Sequence, residues 1–200
     1  MDKKGILMII SGPSGSGKGT IVNELVKDEN YYISVSATTR KPRINEQEGK
    51  HYFFKEREEF INLRDNGELL EWAEFCGNFY GTPKSNVENK IAEGKNVILE
   101  IEVQGALKIK ELYPECVLIF VIPPSIEELK KRLTQRGTEE AEVIERRIAR
   151  ALEEIEIMKE YDYIVVNDDL LTAVENINKI VTAEKLKVSR NLDVIEGLKK

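Results

Sequence analysis

"GILMIISGPSGSGKGT", residues 5–20, decides how the rest of the chain is read. The apolar run ILMII predicts a buried strand over 6–10. Downstream, Ile21, Val22, Leu25 and Val26 share one face of a helix predicted over 18–27. The link between them, GPSGSG, is poor helix and poor strand material. Its glycines let the backbone turn so that successive N–H groups point inward, and the helix start adds partial positive charge. Phosphate oxygens need many donors packed in this way. Gly12, Pro13, Ser14, Gly15, Ser16, Gly17, Lys18, Gly19 and Thr20 therefore form a phosphate-binding P-loop, with Lys18 as a point charge for the β and γ phosphates. One position departs from the usual pattern. Ser or Thr normally follows the lysine to ligate Mg²⁺, and here Gly19 follows, with Thr20 next. The competing reading is a glycine-rich strand–turn–helix corner with no ligand. The strand, lysine and helix all in place argue against it.

The length of 200 residues suits one sizeable core and a small inserted subdomain. With 33% charged and 41% hydrophobic residues, the composition is that of a soluble globular protein. The runs ILMII and VLIFVI are too short to span a bilayer, and SGPSG interrupts the first of them too early for a signal peptide. A net charge of −6 argues against a sequence-independent grip on nucleic acid but leaves a small anionic ligand open. Cys76 and Cys116 have neither metal nor redox spacing. Sequence alone leaves a disulfide between them open; the reading favours a reduced, cytoplasmic chain with Cys116 as a core thiol. The single His51 cannot anchor a histidine-rich metal site and reads as a loop residue.

Apolar runs and helix-like stretches alternate along the chain. NVILEI (96–101), CVLIFVI (116–122) and YIVVN (163–167) read, like ILMII, as short strands buried on both faces. Ser85 with Glu88, and Ser125 with Glu128, suggest capping boxes, and Gly94 a helix stop. Ile144, Ile148, Leu152 and Ile155 form one helical stripe. The alternation predicts an α/β fold with a parallel sheet covered on both faces. Residues 36–83 are polar, aromatic and turn-rich, and read as an inserted, partly β lobe. QRGTEEAE (135–142) reads as a lid between two helices. The expected division is a core of 1–35, 84–134 and 148–200, a lobe of 36–83 and a lid of 135–147.

Inside the lobe, SVSATTRKPR carries Ser36, Arg40 and Arg43, EGKHYFF carries Tyr52, and EWAEFCGNFYGT carries Glu71, Tyr80 and Thr82. Together with LEIEVQGA and YIVVND, these stretches resemble the ordered motif series of guanylate kinase, from the P-loop to about Arg190. The GKGT variant resembles that of nucleoside monophosphate kinases. The resemblance implies a P-loop nucleoside-monophosphate-kinase fold, with a helix-flanked parallel core, a GMP-binding lobe and a lid. It implies transfer of the γ-phosphoryl of ATP to GMP, giving ADP and GDP.

By the same resemblance, Arg40, Arg43, Tyr52 and Tyr80 grip the GMP phosphate, which suits two guanidinium forks and two phenols. Ser36, Glu71 and Thr82 read guanine, whose N1–H and N2–H₂ donors suit a carboxylate. Glu100 and Glu102 end a strand, where ligand crevices open. They match acidic positions near the Mg²⁺–phosphate centre and the acceptor; the second is often Asp in the family. Arg136 and Arg147 match lid arginines over the transferring phosphoryl group, with Arg132 and Arg146 as weaker candidates. Lys18, Arg40, Arg136 and Arg147 are thus the expected catalytic set. Mg²⁺ is expected to be held through phosphates and water, with Glu100 in its outer shell.

Taken singly, each residue also has a plain reading. Tyr52 and Tyr80 suit packing, Glu71 a solvated face, and the arginines ordinary surface charge. Two other functions stay open at this point: a small-molecule kinase of the same fold with another acceptor, and a non-catalytic phosphopeptide-binding module. ATP and GMP are the expected partners, with no nucleic acid and no membrane. Tolerance of dGMP, the choice between monomer and homo-oligomer, and the role of the amphipathic tail AEKLKVSRNLDVIEGLKK stay open.

Overall fold

Strand β1 (Leu7–Ser11) runs straight into the glycine-rich loop and helix α1 (Lys18–Leu25). Next come β2 (Tyr31–Ile33), β3 (Ala37–Thr38), β4 (Phe53–Phe54), α2 (Arg57–Asp65), β5 (Leu69–Phe75) and β6 (Asn78–Pro83). Helix α3 (Lys84–Ala92), β7 (Asn96–Glu100), α4 (Val103–Leu112), β8 (Val117–Ile122) and α5 (Ile126–Gln135) follow. The chain closes with α6 (Ala141–Glu156), β9 (Tyr163–Val166), α7 (Leu170–Lys185) and α8 (Leu192–Gly197). These elements come from a computed structural model that describes residues 4–75, 77–135 and 141–199. They group into two compact units, one drawn from 1–11 and 26–118, the other from 12–25 and 119–200.

In the first unit β7 lies between β1 and β2, parallel to both, with Leu7 opposite Val97 and Tyr31 opposite Asn96. Every residue of β1 is buried, as a run apolar on both faces requires in a parallel sheet. A second sheet, ordered β4-β3-β6-β5, occupies the stretch read as an inserted lobe. Ala37, Phe60 and Phe79 form its core, with Phe60 and Phe79 stacked at 5.4 Å. In the second unit β8 and β9 pair in parallel, from Ile119 opposite Tyr163 to Ile122 opposite Val166. Leu129, Leu133, Ile144 and Ala151 pack α5 against α6.

Several sequence expectations need correcting. The three-residue strand β2 escaped the pattern reading. β9 is buried on one face only, since Ile164 and Val166 are exposed. Ser85 caps nothing: β6 runs directly into α3, so Pro83 takes the cap position and Glu88 pairs with Lys84 at 3.8 Å. Ser125 does cap α5, accepting the Glu128 N–H at 3.1 Å, but the Glu128 carboxylate turns to Arg132 instead of back to the cap. On α6, Ala151 takes the buried place expected of Leu152, which is exposed.

The expectations for Gly94, Cys116 and His51 hold. Gly94 ends α3 with φ +85°, and Cys116 is buried in the core. His51 is an exposed loop residue whose Nδ1 accepts the Gln47 N–H. Cys76 and residues 136–140 of the expected lid lie outside the described residues, Gln135 ends α5, and 141–147 are the opening turns of α6. Among the described residues no helix is long and apolar enough to cross a membrane.

Candidate active site

The phosphate loop belongs to the second unit. Gly12, Gly15 and Gly17 have φ of +142°, +92° and +89°, a region that side chains resist. A Cβ at Gly12 would sit 2.1 Å from the Val121 carbonyl oxygen, so the first turn also lacks room for one. Ser16 N–H donates to the Pro13 carbonyl at 3.1 Å, and Ile21 N–H to the Gly17 carbonyl at 3.1 Å, which closes the loop onto the first turn of α1. Lys18, the first helical residue, folds its ammonium back over the loop and donates to the carbonyls of Gly12 and, at 3.1 Å, Pro13. Arg147 on α6 donates to the Ser14 hydroxyl. That bond brings an expected lid arginine to the loop. Arg132 is engaged elsewhere, with the Glu128 carboxylate at 3.0 Å and the Asn167 carbonyl at 2.9 Å. Arg146 is exposed, Thr20 is exposed, and Arg136 lies outside the described residues.

The acceptor side belongs to the first unit. Ser36, Tyr52, Thr82 and Glu100 line a cleft together with Ser34 and His51. Sheet register makes this grouping: Ala37 faces Gly81 and Thr38 faces Tyr80, so β3 and β6 carry their polar neighbours side by side. The Thr82 hydroxyl, 1% exposed, donates to the Glu71 carboxylate at 2.8 Å. Burial raises the Glu71 pKa above its ordinary 4.5, and the Thr82 bond and the nearby Lys108 oppose that shift.

Arg40 and its neighbours form the charged side of this unit. Arg40 lies over the Tyr52 ring at 5.4 Å, and Tyr52 meets Tyr80 edge to face at 6.1 Å. Glu46 holds Arg40 at 2.8 Å and accepts the Arg43 N–H at 2.7 Å. Its hydrogen bond to Arg40 pulls the Glu46 pKa down to about 2. Arg43 extends an exposed side chain beside that carboxylate. Glu102 is the exposed residue before α4 and is not among the cleft-lining residues.

Sequence reasoning missed three participants: Glu46 as the partner of Arg40, Lys108 near Glu71, and Asn167 against the loop. Only Asn167 had a usable signal, because it follows a strand at its carboxyl end, where α/β sheets gather ligand contacts.

A parallel-stranded α/β fold whose first strand leads through a glycine-turned loop and lysine into a helix defines a P-loop nucleotide-binding protein. The guanylate kinase family model matches residues 4–184. A guanylate kinase of Desulfitobacterium hafniense strain Y51 is 51% identical over 97% of this chain and 98% of its own. One from Halalkalibacterium halodurans is 54% identical over 96% and 94%. The crystal structure of guanylate kinase from Anaplasma phagocytophilum superposes with a TM-score of 0.73 at 40% identity, covering 94% of this chain and 90% of that one. The chain belongs to the guanylate kinase family.

Proposed function

We infer that the chain transfers the γ-phosphoryl group of ATP to GMP, giving ADP and GDP. Membership of the guanylate kinase family supports the reaction. The observation that carries the acceptor is the Glu71–Thr82 pair: a carboxylate shielded from water beside a cleft, suited to two adjacent N–H donors. Guanine presents such donors at N1 and N2, and adenine does not. Ser36 meets the remaining polar edge of the base. Arg40, Arg43, Tyr52 and Tyr80 hold the acceptor phosphate, with Glu46 keeping Arg40 oriented before the ligand arrives.

Phosphoryl transfer asks mainly for positioning and charge stabilisation. The loop amides and Lys18 hold the donor phosphates, while Arg136 and Arg147 balance charge on the moving group. No side chain need act as a strong base, because the acceptor phosphate is already anionic. Mg²⁺ accompanies ATP and neutralises phosphate charge when bound. The donor set suits a metal held by phosphate and water oxygens. Gly19 has no side-chain oxygen, and among the described residues no group of three acidic, histidine or cysteine side chains could hold a metal ion. Glu100, exposed at the end of β7, suits an outer-shell carboxylate. Residues 36–83 serve as the GMP-binding lobe and 135–147 as the lid, and a cytoplasmic location belongs to the same reading. The intact loop disfavours a non-catalytic binding module.

The test is a coupled assay with ATP and GMP, dGMP, AMP, CMP or UMP. Turnover with GMP is expected to exceed that with AMP by about 10⁴-fold or more in kcat/KM, because the wrong base strands a buried polar partner. Equal use of another monophosphate would transfer the acceptor assignment to it.

A further inference from the structure

In a trans peptide the carbonyl and the following N–H lie in one plane and point opposite ways. Turning the N–H groups of a phosphate loop inward therefore turns carbonyls outward, where they need donors of their own. At Ser16 that donor is the Asn167 side chain, whose Nδ2 donates to the Ser16 carbonyl at 2.8 Å. Among the described residues no peptide bond is cis, so the Gly17 N–H points away from Asn167.

Asn167 is itself fixed. Only 7% of it is exposed. Its N–H donates to the Ile122 carbonyl at 2.8 Å, and its carbonyl accepts from Arg132 at 2.9 Å. Arg132 is in turn held by Glu128. A Cβ on Gly17 would lie 2.2 Å from Asn167 Nδ2, so the amide fills the space that the glycine leaves.

We propose that Asn167 is a positioning residue that locks the Ser16–Gly17 peptide with the Gly17 N–H facing the donor phosphates. The affinity of the loop for a triphosphate then depends on an uncharged side chain at the end of β9. This rests on reading residues 12–20 as the ATP phosphate site.

The experiment measures binding of ATP, tripolyphosphate and GMP to the wild-type chain, Asn167→Ala and Asn167→Asp. Tripolyphosphate has the phosphates and no base. Losing the donor to a buried carbonyl is expected to weaken ATP and tripolyphosphate together, by about tenfold. Asn167→Asp keeps the volume and turns a carboxylate oxygen toward Ser16, so it should weaken both further. GMP affinity should stay within about twofold of wild type, because none of these contacts involves the acceptor cleft. The amide resonance of Gly17 should shift less on tripolyphosphate addition in the variants than in the wild type.

Unchanged tripolyphosphate affinity overturns the proposal. So does a loss confined to ATP, which would assign Asn167 to the base, and so does an equal loss of GMP affinity or a failure of both variants to fold. A wild-type chain that binds neither ATP nor tripolyphosphate would instead overturn the loop reading itself.

Discussion

Replacing Lys18 with Met is expected to lower kcat by about 10²–10³-fold, with the fold and the GMP affinity retained. Lys18 is the first residue of α1, and its ammonium already reaches back across the loop to the Gly12 and Pro13 carbonyls. A bound triphosphate offers that ammonium far stronger acceptors than two neutral carbonyls. As the γ-phosphoryl group moves, negative charge builds on the oxygen that it leaves, and a fixed cation there stabilises the transition state more than the ground state. Met keeps the length of the stem and its packing but brings no charge. The substitution therefore isolates electrostatics from shape. Steady-state kinetics with ATP and GMP read the loss. A circular dichroism spectrum and GMP binding report on the fold. A folded variant turning over near the wild-type rate would remove Lys18 from the reaction.

The phosphate loop was legible because several independent local signals coincide there: a strand pattern, glycines with no other local use, a lysine and a helix start. Nothing distant is needed to interpret them. β2 was not legible, since three residues, Tyr31 buried and Tyr32 and Ile33 half-buried, make no period. Its strand character comes from pairing with β7, which lies more than sixty positions along the chain. The capping box at Ser85 failed for a related reason. β6 carries the chain straight into α3, and that junction is set by pairing with β5 instead of by a local cap.

The site residues followed the same rule. Arg40, Tyr52 and Tyr80 were legible as members of a motif series, and the structure does group them. Their mutual orientation was not legible, because it depends on Glu46, a residue with no mark of its own in a loop full of charges. The role of Asn167 required knowing which way one carbonyl points, and no pattern in a sequence records that.

Glu71→Gln is expected to lower kcat/KM for GMP by about 10- to 100-fold, the loss of charge-assisted hydrogen bonds worth about 1.5–3 kcal/mol each. Gln has nearly the same size, so the cleft keeps its shape. One of its two terminal groups is now a donor, however, and it opposes the N1–H or N2–H₂ of guanine. The same donor suits the acceptor at adenine N1, so the preference for GMP over AMP should shrink together with activity. A second signature lies in pH. Burial raises the Glu71 pKa above 4.5, and the proposed acceptance of the guanine N–H donors by its carboxylate needs the ionised form. Activity at low GMP should therefore be present above that raised value and be lost as pH falls through it. Glu46 cannot produce this limb, because Arg40 holds its pKa near 2. The GMP phosphate titrates as well, with a second pKa of about 6, but it does so equally in both proteins. The acid limb that disappears in Glu71→Gln thus belongs to Glu71. An unchanged GMP-to-AMP ratio with an unchanged pH profile would show that Glu71 does not read the base. Base selection would then fall to Ser36 and Thr82, hydroxyls that can reorient toward donor or acceptor and so discriminate far less.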